Sequence, residues 1–172
     1  QARHLEWAEA ACQHDSGNTR ALKAMVELLL QSEVPGKAIP YLMSLIEHPD
    51  MRKRPKDVVP YTATLGHLLE ERGDLDGAAR AYKSCCEADA KNAAHAMNLG
   101  RVLMAAGKNE QALHTLQPLI IRIDRMPLAD RVTILQSLAS IHARLGDAKK
   151  ARQFATRVLA IDPDNETAKS LM

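Results

Sequence analysis

Residues 65–82 ("LGHLLEERGDLDGAARAY") recur at 99–116 ("LGRVLMAAGKNEQALHTL") with one constant offset. Leu65 pairs with Leu99, Gly66 with Gly100, Leu69 with Leu103, Gly73 with Gly107 and Ala78 with Ala112. A third copy at 138–155 ("LASIHARLGDAKKARQFA") keeps Leu138, Ala139, Gly146 and Ala151. A fourth at 25–42 ("MVELLLQSEVPGKAIPYL") keeps Met25, Leu29 and Ala38 but has no glycine at the equivalent turn. A fixed period in the range of about 20–50 residues marks an array of supersecondary units, each unable to bury its apolar face alone.

Within each copy the apolar residues follow helical spacing, as in Leu99, Leu103 and then Leu113, Leu116, Ile120. Gly66 and Gly100 fall inside helices, where glycine costs about 1 kcal/mol relative to alanine. That cost implies close approach of a second helix, and Ala78, Ala112 and Ala151 are the small residues expected to meet it. Gly73, Gly107 and Gly146 stand where the first helix of each copy stops, as left-handed caps. "DAKN" and "DPDN" supply turn chemistry between copies.

The phase of the pattern divides the chain into repeats at 19–52, 59–92, 93–126 and 132–165. The second and third repeats follow each other at the offset of the copies. The steps from 19 to 59 and from 93 to 132 are longer, so two joints carry insertions, 53–58 and 127–131. Pro55 and Pro127 stand at nearly the same distance ahead of the inter-helix glycines Gly73 and Gly146. Proline favours the first helical position, so each insertion predicts a lengthened first helix; Pro60 is an alternative start. Residues 1–18 match the second helix of a further repeat, and 166–172 open another first helix. The chain is expected to be part of a longer array, with an exposed apolar flank that invites self-association. Trp7 is expected to pack against the first full repeat.

The pattern resembles the tetratricopeptide repeat, a helix–turn–helix unit of about 34 residues with the signature W-x2-L-G-x2-Y…A-x3-F…P. No copy has Trp at the first signature position, where Leu22, Thr62, Ala96 and Leu135 stand, and the closing proline survives only as Pro163. The resemblance covers essentially the whole chain. It implies an all-α fold: a right-handed α-solenoid of stacked antiparallel hairpins whose first helices line a concave groove. It also implies a non-enzymatic scaffold that binds a peptide or protein there.

Carrying the family's groove positions onto this sequence selects Arg20, Lys23 and Glu27, then Thr64, His67 and Glu71. The later repeats supply Met97, Asn98, Arg101 and Met104, followed by Gln136, Ser140 and Arg144. A subfamily that grips chaperone C-termini does so with a Lys/Asn/Asn/Lys/Arg clamp. Lys23 and Asn98 match single clamp places in incompatible frames, and Glu27, Thr64 and Ala94 occupy others, so that clamp is rejected. Met97 and Met104 are the adaptable apolar anchors, with filling of the inter-repeat interface as the other role open to them. The alternative function is an oligomerisation or regulatory module of a larger protein.

Other chemistry is sparse. No phosphate-cradling, nucleophile-elbow or zinc-protease motif occurs. His4, Cys12 and His14 come nearest to a ligand cluster, but His4 and Cys12 lie two helical turns apart, more than about 10 Å along an axis. Glu70 and Glu71 are adjacent, and adjacent helical residues face different ways. No metal or cofactor is expected. The net charge of +2 and 3% aromatic content supply neither a general field nor stacking platforms for nucleic acid. No apolar run is long enough to span a membrane. Cys12, Cys85 and Cys86 form no disulfide framework, which points to a reducing, cytoplasmic compartment, with a bacterial cell envelope as the alternative. The stretch "MRKRPKD" at 51–57 concentrates Arg52, Lys53, Arg54 and Lys56 at the first insertion. It is expected to be a solvated joint between repeats, with an edge contact to an acidic partner as its functional reading.

Overall fold

The computed structural model describes residues 6–11 and 18–172, and among these the secondary structure is helical with no strand. The chain divides into two compact units, 1–91 and 92–172. In the first unit α1 (6–11) is followed by α2 (Thr19–Leu30), a 3-10 turn (Pro35–Ala38), α3 (Ile39–Glu47), the short α4 (Pro49–Arg52), α5 (Pro55–Glu71) and α6 (Leu75–Ala88). The second contains α7 (Ala93–Ala105), α8 (Asn109–Leu116), a 3-10 segment (Gln117–Arg125), α9 (Leu128–Arg144), α10 (Ala148–Leu159) and α11 (Glu166–Lys169). The pairs α2/α3, α5/α6, α7/α8 and α9/α10 pack as helical hairpins.

Capping chemistry starts each helix according to its place in the repeat. The side chains of Asn18, Asn92 and Asn165 accept backbone N–H groups at the starts of α2, α7 and α11. Asp74 and Asp147 do the same for the second helices α6 and α10, accepting from Gly77 N at 2.8 Å and Lys150 N at 3.0 Å. The first helices α5 and α9 use proline instead: Pro55 opens α5 and Pro127 caps α9. Both run 17 residues against 13 for α7. Pro60 does not restart α5 but lies inside it. With no N–H it cannot bond the Lys56 carbonyl, which lies in the exposed first turn of the helix.

The first helices α5, α7 and α9 end in the same left-handed turn. Gly73, Gly107 and Gly146 have φ of 79°, 72° and 81°. At Gly73 the next amide, Asp74 N, donates to Leu69 O at 2.9 Å while Gly73 N donates to Glu70 O at 2.9 Å. That double closure satisfies two carbonyls the helix end would otherwise leave open, and it repeats at Gly107 and Gly146.

Inside the hairpins the second helix closely approaches the glycines of the first. A Cβ built on Gly66 would meet the Tyr82 ring at 3.0 Å, and one on Gly100 would meet Leu116 Cγ at 2.6 Å. The atoms nearest each glycine belong to the large side chain four positions after Ala78 or Ala112, one turn further along the second helix. Those alanines are fully buried in their own right.

Pro118 also changes the second helix of the third repeat. The spacing Leu113, Leu116, Ile120 predicts one continuous α-helix, yet α8 stops at Leu116 and nine residues of 3-10 helix follow. Proline cannot donate to the carbonyl four residues back, and its ring crowds that turn. Leu119 and Ile123 still reach the interior.

The first unit's core joins Ala8 to Met25, Val26 and Leu29 of α2, Ile39 and Leu42 of α3, and Leu65 and Leu68 of α5. A second cluster joins Leu22, Leu45 and Met51, with Tyr41, Val58 and Tyr61 against it. In the second unit Val102, Leu116, Ile134, Leu138, Ile141 and Val158 are fully or almost fully buried.

Candidate partner-binding face

The residues selected for partner binding fall on first helices, in two sets, one in each unit. In the first unit Lys23 and Glu27 lie on α2 and Thr64, His67 and Glu71 on α5. The Lys23 ammonium sits 5.7 Å from the centroid of the Tyr61 ring of α5, which sets the two helices' outer faces side by side. Glu27, His67 and Glu71 are exposed. His67 Nε2 and Glu71 Oε1 are 3.5 Å apart at i,i+4 spacing, while Thr64 turns its hydroxyl back to Pro60 O at 2.9 Å. This face is polar and carries both signs of charge.

In the second unit Met97, Asn98 and Met104 are half-buried on α7 and Arg101 is exposed. On α9, Gln136 and Ser140 are half-buried and Arg144 is exposed. Two of the α9 side chains brace the unit internally. Arg144 Nη1 donates to Met104 O at 2.9 Å and lies 3.5 Å from Asn109 Oδ1. A cation on the last carbonyls of α7 also opposes the negative end of that helix. Gln136 Oε1 accepts from Asn165 Nδ2 at 3.4 Å, tying α9 to the start of α11. Met97, Asn98 and Arg101 share the partly or fully solvated side of α7.

Trp7 departs from expectation. It is 61% exposed, and its neighbour Ala8, fully buried, is the residue of α1 that enters the core. Adjacent residues on a helix point in different directions, so the size of Trp7 says nothing about which of the two faces inward. His4, Cys12 and His14 lie outside the described residues. Among the described residues no group of three His, Cys, Asp or Glu side chains could hold a metal ion. No described helix is long and apolar enough to cross a membrane.

Cys85 is buried, with its thiol 3.7 Å from Val59 O. Burial, then the neighbouring Cys86, pushes its pKa up to about 11, so it stays a protonated thiol at neutral pH. Cys86 is half-buried and also raised, chiefly by burial.

Arg52, Lys53, Arg54 and Lys56 are all exposed. Lys53 Nζ reaches Asp50 Oδ1 at 3.0 Å, and that bond holds the Asp50 carboxyl below its ordinary range. Missing from the sequence reading was Met51, which is 6% exposed and packs between α2, α3 and α5. Its signal was available: one apolar residue, directly ahead of a cationic run.

A buried histidine gives the second unit a pH dependence. His142 stacks on Phe154, with ring centroids 5.5 Å apart and an interplanar angle of 7°. Burial, then the Lys150 charge, lowers its pKa, outweighing Asp147, whose Oδ2 lies 3.8 Å from Nδ1. Asp147 is itself lowered, first by the Lys150 backbone N–H. A histidine lowered on folding binds fewer protons folded than unfolded. Its contribution is full above the unfolded value of about 6.5 and is lost as pH falls below that; that of Asp147 is lost at still lower pH. The melting temperature is expected to be flat above about pH 7 and to fall towards pH 5. The fall should be smaller in His142→Gln. An identical profile in that variant would exclude the histidine as the source.

The family assignment agrees with this geometry. Tetratricopeptide-repeat family models match residues 69–125 and 99–166. Among solved structures, the MamA protein superimposes with a TM-score of 0.70 at 14% identity, over 92% of this chain and 81% of that one. BtubC from P. vanneervenii gives 0.64 at 20% identity, over 93% and 70%. TTC0263, a thermophilic tetratricopeptide-repeat protein of Thermus thermophilus, gives 0.54 at 18%, over 96% and 85%. At these identities the likeness is one of fold. No curated protein sequence matches the chain. With the two family models together spanning 69–166, and with hairpins whose glycine turns and Asn and Asp caps recur in register, the chain belongs to the tetratricopeptide-repeat family, an all-α helical-repeat class whose members bind protein partners.

Proposed function

We propose that the protein is a non-enzymatic interaction scaffold that binds a peptide or protein segment on the outer faces of its first helices. The observation that carries this reading is the face of α7, where half-buried Met97 and Asn98 lie beside exposed Arg101. An exposed ion pair contributes about 0–1 kcal/mol, so Arg101 orients a partner. Affinity requires an apolar anchor, and truncating such an anchor costs about 2 kcal/mol or more. Met97 has the flexibility for that role. In the first unit Lys23, Glu27, His67 and Glu71 offer a polar counterpart.

Affinity capture with the chain as bait, followed by titration of the recovered partner, tests the reading. Met97→Ala is expected to weaken binding by about tenfold and Arg101→Glu by a smaller factor. Wild-type affinity in both, with unchanged circular dichroism, would move the site to another face.

Self-association is the second reading, favoured by the 61% exposure of Trp7. Sedimentation over a concentration series decides it: a constant monomer mass would remove it.

A further inference from the structure

Where Pro118 ends α8, the 3-10 segment turns Ile121 fully outward. At 93% exposure it is the most exposed large apolar side chain among the described residues. A single exposed isoleucine is ordinary, but Ile121 borders an open depression lined also by Pro118, Ile120 and Phe154, with His114 at its edge. All of these lie on α8, the 3-10 segment and α10, the second-helix side of the repeats, and not on α7 or α9.

Cations border the depression on one side. Between Ala148 and Leu159 α10 has no carboxylate, and of its cations Lys150 and Arg157 stand at i−4 and i+3 from Phe154, on the same side of the helix. The Arg157 guanidinium carbon lies 5.9 Å from the centroid of the Phe154 ring, so a cation stands over the depression's own aromatic wall. Neighbouring carboxylates are already engaged: Asp124 with Arg131 at 3.3 Å, and Asp147 with the Lys150 amide at 3.0 Å and its ammonium at 3.3 Å.

We propose that this surface is a second docking site, for a short acidic segment of a protein partner. That segment would set one large apolar side chain against Ile121 and Phe154 and its carboxylates along α10. The apolar side chain supplies affinity by leaving water. The carboxylates pair with an exposed basic helix, which speeds encounter and makes binding salt-dependent. This surface is independent of the first-helix face: either can be occupied with the other vacant.

The test uses a fluorescently labelled synthetic peptide with a single Phe flanked by Asp and Glu, read by anisotropy on the whole chain. Two control peptides replace the acids by Lys or the Phe by Ala. The acidic peptide is expected to bind with Kd on the order of 10 µM, and each control at least about tenfold more weakly. Ile121→Glu should raise Kd about tenfold or more; the exposure of this side chain keeps the fold out of the measurement. Arg157→Glu should raise Kd about threefold or more and flatten its salt dependence, while Met97→Ala leaves binding unchanged. No binding at about 1 mM peptide, equal binding of the Lys control, or wild-type affinity in Ile121→Glu would each overturn the proposal. A wild-type chain that self-assembles and an Ile121→Glu chain that is monomeric would assign the surface to a second copy and overturn it equally.

Discussion

Gly100→Leu is expected to destabilise the second unit by about 2–3 kcal/mol, read as a lower urea midpoint at unchanged slope. A Cβ alone at this position would lie 2.6 Å from Leu116 Cγ and 2.7 Å from its Cδ2. Leu116 is 1% exposed and has no open side to rotate into. The excess volume must therefore push α7 away from α8 or force an unfavourable rotamer. The next repeat shows how this contact can be made with different sizes. Its equivalents of Gly100 and Leu116 are Ala139 and Ala155, both fully buried. A glycine and a leucine in one repeat correspond to two alanines in the next. Leu116→Ala alone should cost about 3 kcal/mol through the cavity it leaves. Adding Gly100→Ala to it should recover about 1 kcal/mol, from helix propensity and from filling that cavity. In the wild-type background the same Gly100→Ala should not stabilise. Strict additivity of the two substitutions would mean that these residues do not meet, and that the hairpin register is different.

Met51→Ala is expected to cost about 2–3 kcal/mol. Replacing Arg52, Lys53, Arg54 and Lys56 together by Ser should change stability by less than about 0.5 kcal/mol per site. The contrast follows from exposure. Met51 is 6% exposed among Leu22, Leu45 and Tyr61 and holds α4 down across the start of α5. The cations beside it are all in solvent, and the pair that Lys53 makes with Asp50 joins side chains 74% and 70% exposed. A large loss from the Ser variant with little from Met51→Ala would make the stretch an electrostatic clamp instead of an apolar anchor under a charged surface.

The basic run thus carries two instructions that a sequence reading does not separate. Its charge density suggests a binding patch, and its single methionine pins the insertion to the core. Only packing distinguishes them, because an apolar residue in a cationic stretch can face either way until α2, α3 and α5 are in place. The candidate binding set behaves similarly. The family's groove positions select Arg144 and Gln136, and Arg144 is exposed and Gln136 half-buried. Yet Arg144 closes the end of α7 through Met104 O, and Gln136 ties to Asn165. Those partners lie far along the chain, beyond the reach of any local pattern.

Local physics accounts for what was legible. The constant offset between copies, the left-handed glycines at 73, 107 and 146, and the Asn and Asp residues that accept N–H groups at helix starts depend on a few consecutive residues. Their backbone preferences hold in any context, so the sequence alone determines helices, turns and the repeat family. Tertiary structure decided what fills the space between helices. It set the large side chains of Tyr82 and Leu116 against the glycines, and it buried Ala8 while leaving Trp7 in solvent. It also turned Ile121 outward on a 3-10 segment that begins at Gln117 and Pro118. Those outcomes depend on volumes and directions summed over several helices, and close packing resolves them only when all the helices are present.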